Sequence, residues 1–349
     1  MDGQSVAPES KPSTPSILKN EAHDISKDYE IPAPLPSTSM SALKERIKSH
    51  YELCSDYYYS LWGEHIHHGY FLHPEDSKEI AQIRLIELLL DISKLPHGNS
   101  VLDVGCGIGG TTRYLAAKTA CSVTGITISG QQVRIARDLT AKEAGPGQVT
   151  KDESAPLKLN NGMVRFIELD AERMGEFFTN EPNRTTFDAV WISEAMSHLP
   201  DKMLFFQNAD LLLNQGGKLV VADWFKAEGM TDSELEADIR PIEGELVLLT
   251  TMYALTDADG MLLPPLCTQS EYVQYAKDAG LQVHTQPFDI SKEVSKTWDI
   301  SWSLIQSPAL WALAFSHGRD GIAFFQAFRA MRRGYANGTF RYAVMVFQK

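Results

Sequence analysis

Cysteine is scarce in this chain. Cys54, Cys106, Cys121 and Cys267 lie scattered over 349 residues, with no Cys-x-x-Cys spacing. A disulfide framework and a structural zinc site are therefore not expected, and a reduced, cytoplasmic setting is. Long apolar runs are missing too. No stretch approaches the ~20 apolar residues of a membrane-spanning helix, and the first residues lack a signal-peptide pattern. Positive charge is in deficit: 32 Lys and Arg face 45 Asp and Glu, a net charge of −13. Such a chain has no overall field to draw phosphates, so nucleic acid is not the expected partner.

What is present is ordinary for a globular domain: 43% hydrophobic and 22% charged residues. Residues 1–40 are rich in Pro, Ser, Lys and Glu and have little to bury, which predicts a disordered tail. Residues 41–349 are expected to form one domain, with an aromatic lid over about 41–75 and an inserted helical cap over about 224–265. Oligomeric state is open at this level.

The chain is organised around Val101-Leu102-Asp103-Val104-Gly105-Cys106-Gly107-Ile108-Gly109-Gly110. Apolar residues end a strand, glycines turn the chain, and Thr111 onward carries a helical pattern, the opening of a nucleotide-binding βαβ unit. Gly105, Gly107 and Gly110 satisfy the dinucleotide fingerprint G-x-G-x-x-G. Asp103, Gly105, Gly107 and Gly109 equally satisfy D-x-G-x-G-x-G, the first motif of S-adenosylmethionine-dependent methyltransferases. The next strand decides between them. Cys121 to Ile128 contains no carboxylate, whereas a dinucleotide site wants an acid there. Asp103 can instead anchor the turn and face the cationic part of a ligand.

Strands at 164–169, 187–192, 217–223, 281–288 and 340–347 alternate with helical segments, which predicts a mostly parallel, doubly wound α/β sheet. Ser129 is placed to cap the helix that carries Gln132. Thr268 and Glu271 stand at capping-box spacing. Gly145 to Gly162 reads as a long surface loop. His65, His67 and His68 follow Tyr57-Tyr58-Tyr59 and precede Tyr70-Phe71. Adjacent and alternate histidines on a turn rarely converge on one ion, so no metal is expected. The segment reads either as a cap packed on the core or as a lid whose rings, Tyr70 among them, face a cationic ligand.

Several stretches carry a resemblance. Trp62-Gly63-Glu64-His65-Ile66-His67-His68-Gly69-Tyr70, the glycine motif, Gly125-Ile126-Thr127-Ile128-Ser129 and Ser193-Glu194-Ala195-Met196-Ser197-His198-Leu199-Pro200-Asp201-Lys202 resemble the γ-tocopherol C-methyltransferase-like family. Leu266-Cys267-Thr268 with Tyr272, and the closing helix and strand, are similar to it as well. The resemblance implies a Rossmann-like class I methyltransferase fold, with a seven-stranded sheet containing one antiparallel strand. It implies S-adenosyl-L-methionine as cofactor, with the glycine turn near its methionine part and ribose. Thr127, Ile128 and Gln132 would serve the ribose region, Asp170 and Ala171 the adenine, and Ser193 would sit beside the methyl.

The chemistry then needs alignment, exclusion of water and, for some acceptors, a base. Glu194 and His198 follow a strand at the switch point and would face one way if helical. His198 is a candidate general base, with His68 and His67 as rivals. Trp298, Trp302 and Trp311 are candidates for an acceptor pocket, though their near-helical spacing fits a core equally well. The acidic surface and two caps point to a small, largely apolar natural product, methylated on carbon or nitrogen rather than oxygen. A sterol-type C-methyltransferase, a macromolecule-modifying enzyme and a non-catalytic cofactor binder are the alternatives.

Overall fold

The computed structural model describes residues 48, 52, 55, 59, 62–145, 155–243, 263–305 and 319–349, with side chains left aside at 304–305 and 319–327. The expected tail, residues 244–262 of the expected cap and Trp311 lie outside the described residues. The strands are β1 (Ser100–Val104), β2 (Ser122–Thr127), β3 (Leu157–Leu159), β4 (Gly162–Glu168), β5 (Phe187–Ser193), β6 (Leu213–Lys226), β7 (Gln282–Asp289) and β8 (Phe340–Gln348). They form one sheet in the order β3-β4-β2-β1-β5-β6-β8-β7.

From β4 to β6 the strands are parallel, and β8 runs antiparallel to both β6 and β7. The expected seven strands with one reversed are all present. The eighth is β3, a three-residue strand antiparallel to β4, in the stretch read as loop. Leu157 and Leu159 are buried while Lys158 is exposed, an alternation too short to stand out among the surrounding polar residues.

Strands covered on both faces need apolar side chains pointing both ways. Val101 packs with Leu85, Ile86 and Leu89 of the helix Lys78–Ser93 on one face. Leu102 and Val104 pack with Phe178, Phe205 and Phe206 on the other. Each such buried side chain contributes about 1.5–3 kcal/mol relative to exposure. The predicted caps form: Ser129 accepts from Gln132 N, and Thr268 and Glu271 make a reciprocal capping box.

Two boundaries differ from expectation. Trp224, Phe225 and Lys226 belong to β6, paired with Tyr342, Arg341 and Phe340 of β8. The cap therefore cannot begin at Trp224; Asp232–Glu234 and Leu235–Ile239 are helical turns beyond the strand. The strand outruns the sequence signal because β8 pairs with it all the way from Lys218 to Lys226 and both faces stay buried through Phe225. The second difference is the histidine segment. Among residues 62–71 it lies as a strap on the core. Gln82 Nε2 donates to the carbonyls of His65 (2.5 Å) and His67 (3.1 Å), Tyr70 N donates to Ala81 O, and Phe71 N to Glu293 O.

Candidate active site

Strand order reverses at β1, whose neighbours are β2 and β5, and ligands of such sheets bind where it does. The glycines that leave β1 have different work to do. Gly105 has φ +72°, and an added Cβ would stand 2.3 Å from the Ala195 methyl. At Gly107, φ is +55° and an added Cβ would meet nothing within 4 Å, so its backbone faces open space. Gly109 is different again: a Cβ would run into the Phe166 ring at 2.6 Å, so it lets helix and strand pack.

A cavity opens over the carboxyl ends of β1, β2, β4 and β5. Its wall contains Gly105, Gly107, Thr127, Ile128, Gln132, Asp170, Ala171, Ser193, Glu194 and His198, together with Ile66, Leu199 and Pro200. Asp170 and Ala171 sit at the start of a short helical turn, where Asp170 accepts from Glu172 N at 3.0 Å. Thr127 Oγ1 donates to Gln132 Oε1 at 2.6 Å, holding the amide at the end of β2. Glu52, from far earlier in the chain, brings a carboxylate to the same strand end. Its Oε1 accepts from Ser129 Oγ at 2.9 Å and Gln131 N at 3.3 Å.

Four expected site residues stand outside this wall, and His68, which meets Glu194 behind it, is one of them. Asp103 is 3% exposed and accepts from Thr112 Oγ1 at 2.6 Å, so it anchors the turn from behind. Burial pushes its carboxyl up to about 6, and the Thr112 bond only partly opposes this. Gly109 serves packing. Tyr70 is turned toward the core cluster, because the strap's backbone is tied to Ala81 on its far side.

The expected Glu194–His198 pair is also rearranged. Glu194 has φ +54° and precedes a short turn, Met196–His198, so the two residues share no helix face. Glu194 pairs with His68 instead. Its Oε2 meets His68 Nδ1 at 2.9 Å, and its Oε1 accepts from His68 N at 2.7 Å and from the Tyr342 hydroxyl at 2.7 Å. Burial by itself would raise the Glu194 pKa, but the charge and hydrogen bonds of His68, with His67 nearby, hold it below its ordinary value.

The His68 ring is enclosed by aromatic rings. Trp298, Tyr342, Trp224 and Tyr335 have centroids 5.0, 5.3, 5.8 and 6.4 Å away. Trp298 is therefore a wall of this cage, 3% exposed, while Trp302 stacks on Phe328 beside it. Sequence reasoning missed Tyr342, Trp224, Tyr335 and Glu52. Only the pairing of β6 with β8 sets Trp224 opposite Tyr342, and no local pattern announces it. No group of His, Cys, Asp and Glu fit to hold a metal ion is found among the described residues.

Sequence comparisons bear on this geometry. Residues 38–154 match the mycolic acid cyclopropane synthetase family and residues 102–221 a methyltransferase domain. A probable chloroplastic tocopherol O-methyltransferase of Oryza sativa subsp. japonica is 28% identical over 319 residues, 88% of this chain and 78% of that protein. A 27-O-demethylrifamycin SV methyltransferase of Amycolatopsis mediterranei is 26% identical, over 71% of this chain and 77% of its own. Among solved structures, a mycolic acid cyclopropane synthase complexed with SAH and CTAB has a TM-score of 0.66 at 20% identity, covering 87% of this chain and 98% of that one.

The chain belongs to the class I S-adenosylmethionine-dependent methyltransferases and is an enzyme of that class. Its relatives include tocopherol O-methyltransferases, in keeping with the resemblance of its motifs. The cavity fits the cofactor on its own terms, since a Cβ-free backbone at Gly107 opens onto it and polar Thr127, Gln132 and Asp170 line it.

Proposed function

We propose that this enzyme methylates a carbon or nitrogen, less readily an oxygen, of a small, largely apolar natural product. The observation that carries the reading is the cavity itself. One end is glycine backbone with Thr127, Gln132 and Asp170, and the other is Glu194 and His198. Gly105, Gly107, Thr127, Ile128 and Gln132 would hold the methionine and ribose parts, Asp170 and Ala171 the adenine, and Ser193 would flank the methyl. When bound, the cofactor supplies a methyl group already activated on a sulfonium. The protein's contribution is to hold the acceptor in line and to exclude water, which together can be worth ~7–11 kcal/mol.

His68, oriented by Glu194, is the general base in this reading, following the logic of a base held by a carboxylate. His198 stands in the wall and contacts the acceptor. Relatives supply the acceptor class. Those named above methylate tocopherol and a rifamycin, and a 24-methylenesterol C-methyltransferase of Arabidopsis thaliana, 26% identical over 74% of this chain, keeps a sterol-type acceptor in play. The scattered cysteines, of which Cys106, Cys121 and Cys267 are unpaired in the fold, support a cytoplasmic setting.

The test is transfer of labelled methyl from S-adenosylmethionine into a panel of amines, phenols, sterols and cyclic peptides, followed by mass spectrometry. Methylated product from a small acceptor is expected. Transfer into protein or RNA alone would sink the reading. With the acceptor in hand, His68→Ala should lower turnover per folded molecule by about 10²–10⁴. His198→Ala should lower it less, with KM rising. Full activity across pH in His68→Ala would remove His68 as base and favour a neutral amine acceptor.

A further inference from the structure

Tyr342 lies on the closing strand, far from the glycine turn and from the Ser193–Lys202 stretch, yet its hydroxyl touches the Glu194 carboxylate in the cavity wall. It sits on β8, 148 residues from Glu194 in sequence, and its side chain is fully buried. Its backbone is fixed at both ends: Tyr342 N donates to Ser291 Oγ at 2.8 Å, and its carbonyl accepts from Ile290 N at 2.9 Å. Glu194 needs such help. A non-glycine residue at φ +54° is held in a costly backbone conformation only when its surroundings fix it. Two donors from His68 and one from Tyr342 meet its two oxygens.

The consequence falls on His68. A carboxylate at 2.9 Å requires the proton to stand on Nδ1, since the anion can only accept. Nε2 then carries the lone pair. That atom is buried, and it has no hydrogen-bond partner among the described residues. We propose that Tyr342 is the positioning residue of the Glu194–His68 pair, locking His68 in the Nδ1–H tautomer so that Nε2 alone is open to accept a proton. This deepens the reading of His68 as general base and rests on it.

The surroundings agree with a ring that becomes cationic during turnover. Trp298, Trp224, Tyr335 and Tyr342 present aromatic groups on several sides, and such faces stabilise a cation. The titratable and charged groups that bear on the pair from neighbouring elements are His67 of the strap, Tyr335 of the last helix, Asp223 of β6 and Tyr342 itself. The Tyr342 hydroxyl disperses the Glu194 charge. Without it, one Glu194 oxygen loses a donor and the carboxylate is no longer fixed against the His68 ring.

The experiment needs no acceptor. The full chain is labelled with ¹⁵N-histidine, saturated with S-adenosylhomocysteine and titrated by long-range ¹H–¹⁵N spectroscopy, with His68→Gln assigning the His68 signals. The unsubstituted enzyme should show one His68 tautomer, protonated on Nδ1. Tyr342→Phe keeps the ring and removes the hydroxyl. It should give a mixture of tautomers, with cofactor affinity unchanged. Glu194→Gln, which removes the carboxylate, should give the same mixture of tautomers. A folded Tyr342→Phe with a single tautomer, protonated on Nδ1, overturns the positioning role. Retention of full turnover by His68→Ala would overturn the base reading alone, and the tautomer measurement would still decide what Tyr342 does.

Discussion

Asp170 shows how one residue carries two duties. Its Oδ1 caps the turn after β4, and its carboxylate lies in the cavity wall. A hydrogen bond from an adenine amine to a carboxylate is worth about 1.5–3 kcal/mol. Asp170→Ala should therefore weaken S-adenosylhomocysteine binding about ten- to a hundredfold in calorimetry. The lost cap adds a small fall in Tm, since the helical turn is short. An unchanged Kd would move the adenine elsewhere. Asp103 makes the contrast. It belongs to the same motif family in sequence, but its buried bond to Thr112 makes it a brace, and a brace shows itself in stability rather than in affinity.

At the scale of elements, the strap from Trp62 to Phe71 and the helix Lys78–Ser93 act as one unit. Gln82 is 1% exposed and spends its amide on two strap carbonyls. Below the strap, an added Cβ on Gly110 would stand 2.0 Å from Glu64 O, so the N-terminus of the helix Gly110–Thr119 is shaped to receive it. Replacing Gln82 by Leu keeps the bulk and leaves both carbonyls dry, at about 1–3 kcal/mol each. We expect a lower Tm and faster proteolysis within the strap. Cofactor affinity should fall as well, because Ile66 of the strap forms part of the cavity wall. A drop in Tm with unchanged affinity would show that the strap is structural only.

Over the whole molecule, buried titratable groups set opposing pH dependences. Burial is the main cause that holds His65 down to about 3, with repulsion from His67 and Arg113 adding to it. A depressed His stabilises the fold above its unfolded value of 6.5, and this is lost as pH falls toward 3. Asp103 and Asp223 behave oppositely. Burial raises both from 3.8 to about 6, so their contribution is complete below 3.8 and lost as pH rises through 6. Between 3.8 and 6 the two aspartates outweigh the one histidine, so the summed contribution of these groups to thermal stability should peak near 3.8 and fall toward 6. Asp103→Asn should recover stability at pH 8 relative to pH 5, and His65→Gln should extend stability to lower pH. Variant profiles that run parallel to that of the unsubstituted protein would mean that neither group sets its pH dependence.

The residues 101–110 determined the nucleotide-type turn by themselves, because a strand end, three spaced glycines and a helix start are all local requirements. Thr127, Gln132, Asp170 and Ser193 were legible for the same reason: in a doubly wound sheet, residues just past strand ends share one crevice. The caps at Ser129 and Thr268 are likewise local. What the sequence could not fix is who meets whom across the sheet. Glu194 and His198, four apart, are separated by a left-handed backbone step, while His68, Trp224, Tyr335 and Tyr342 converge from four distant elements. Strand register and strap docking decide such pairings, and both follow from the burial of whole faces rather than from any short pattern.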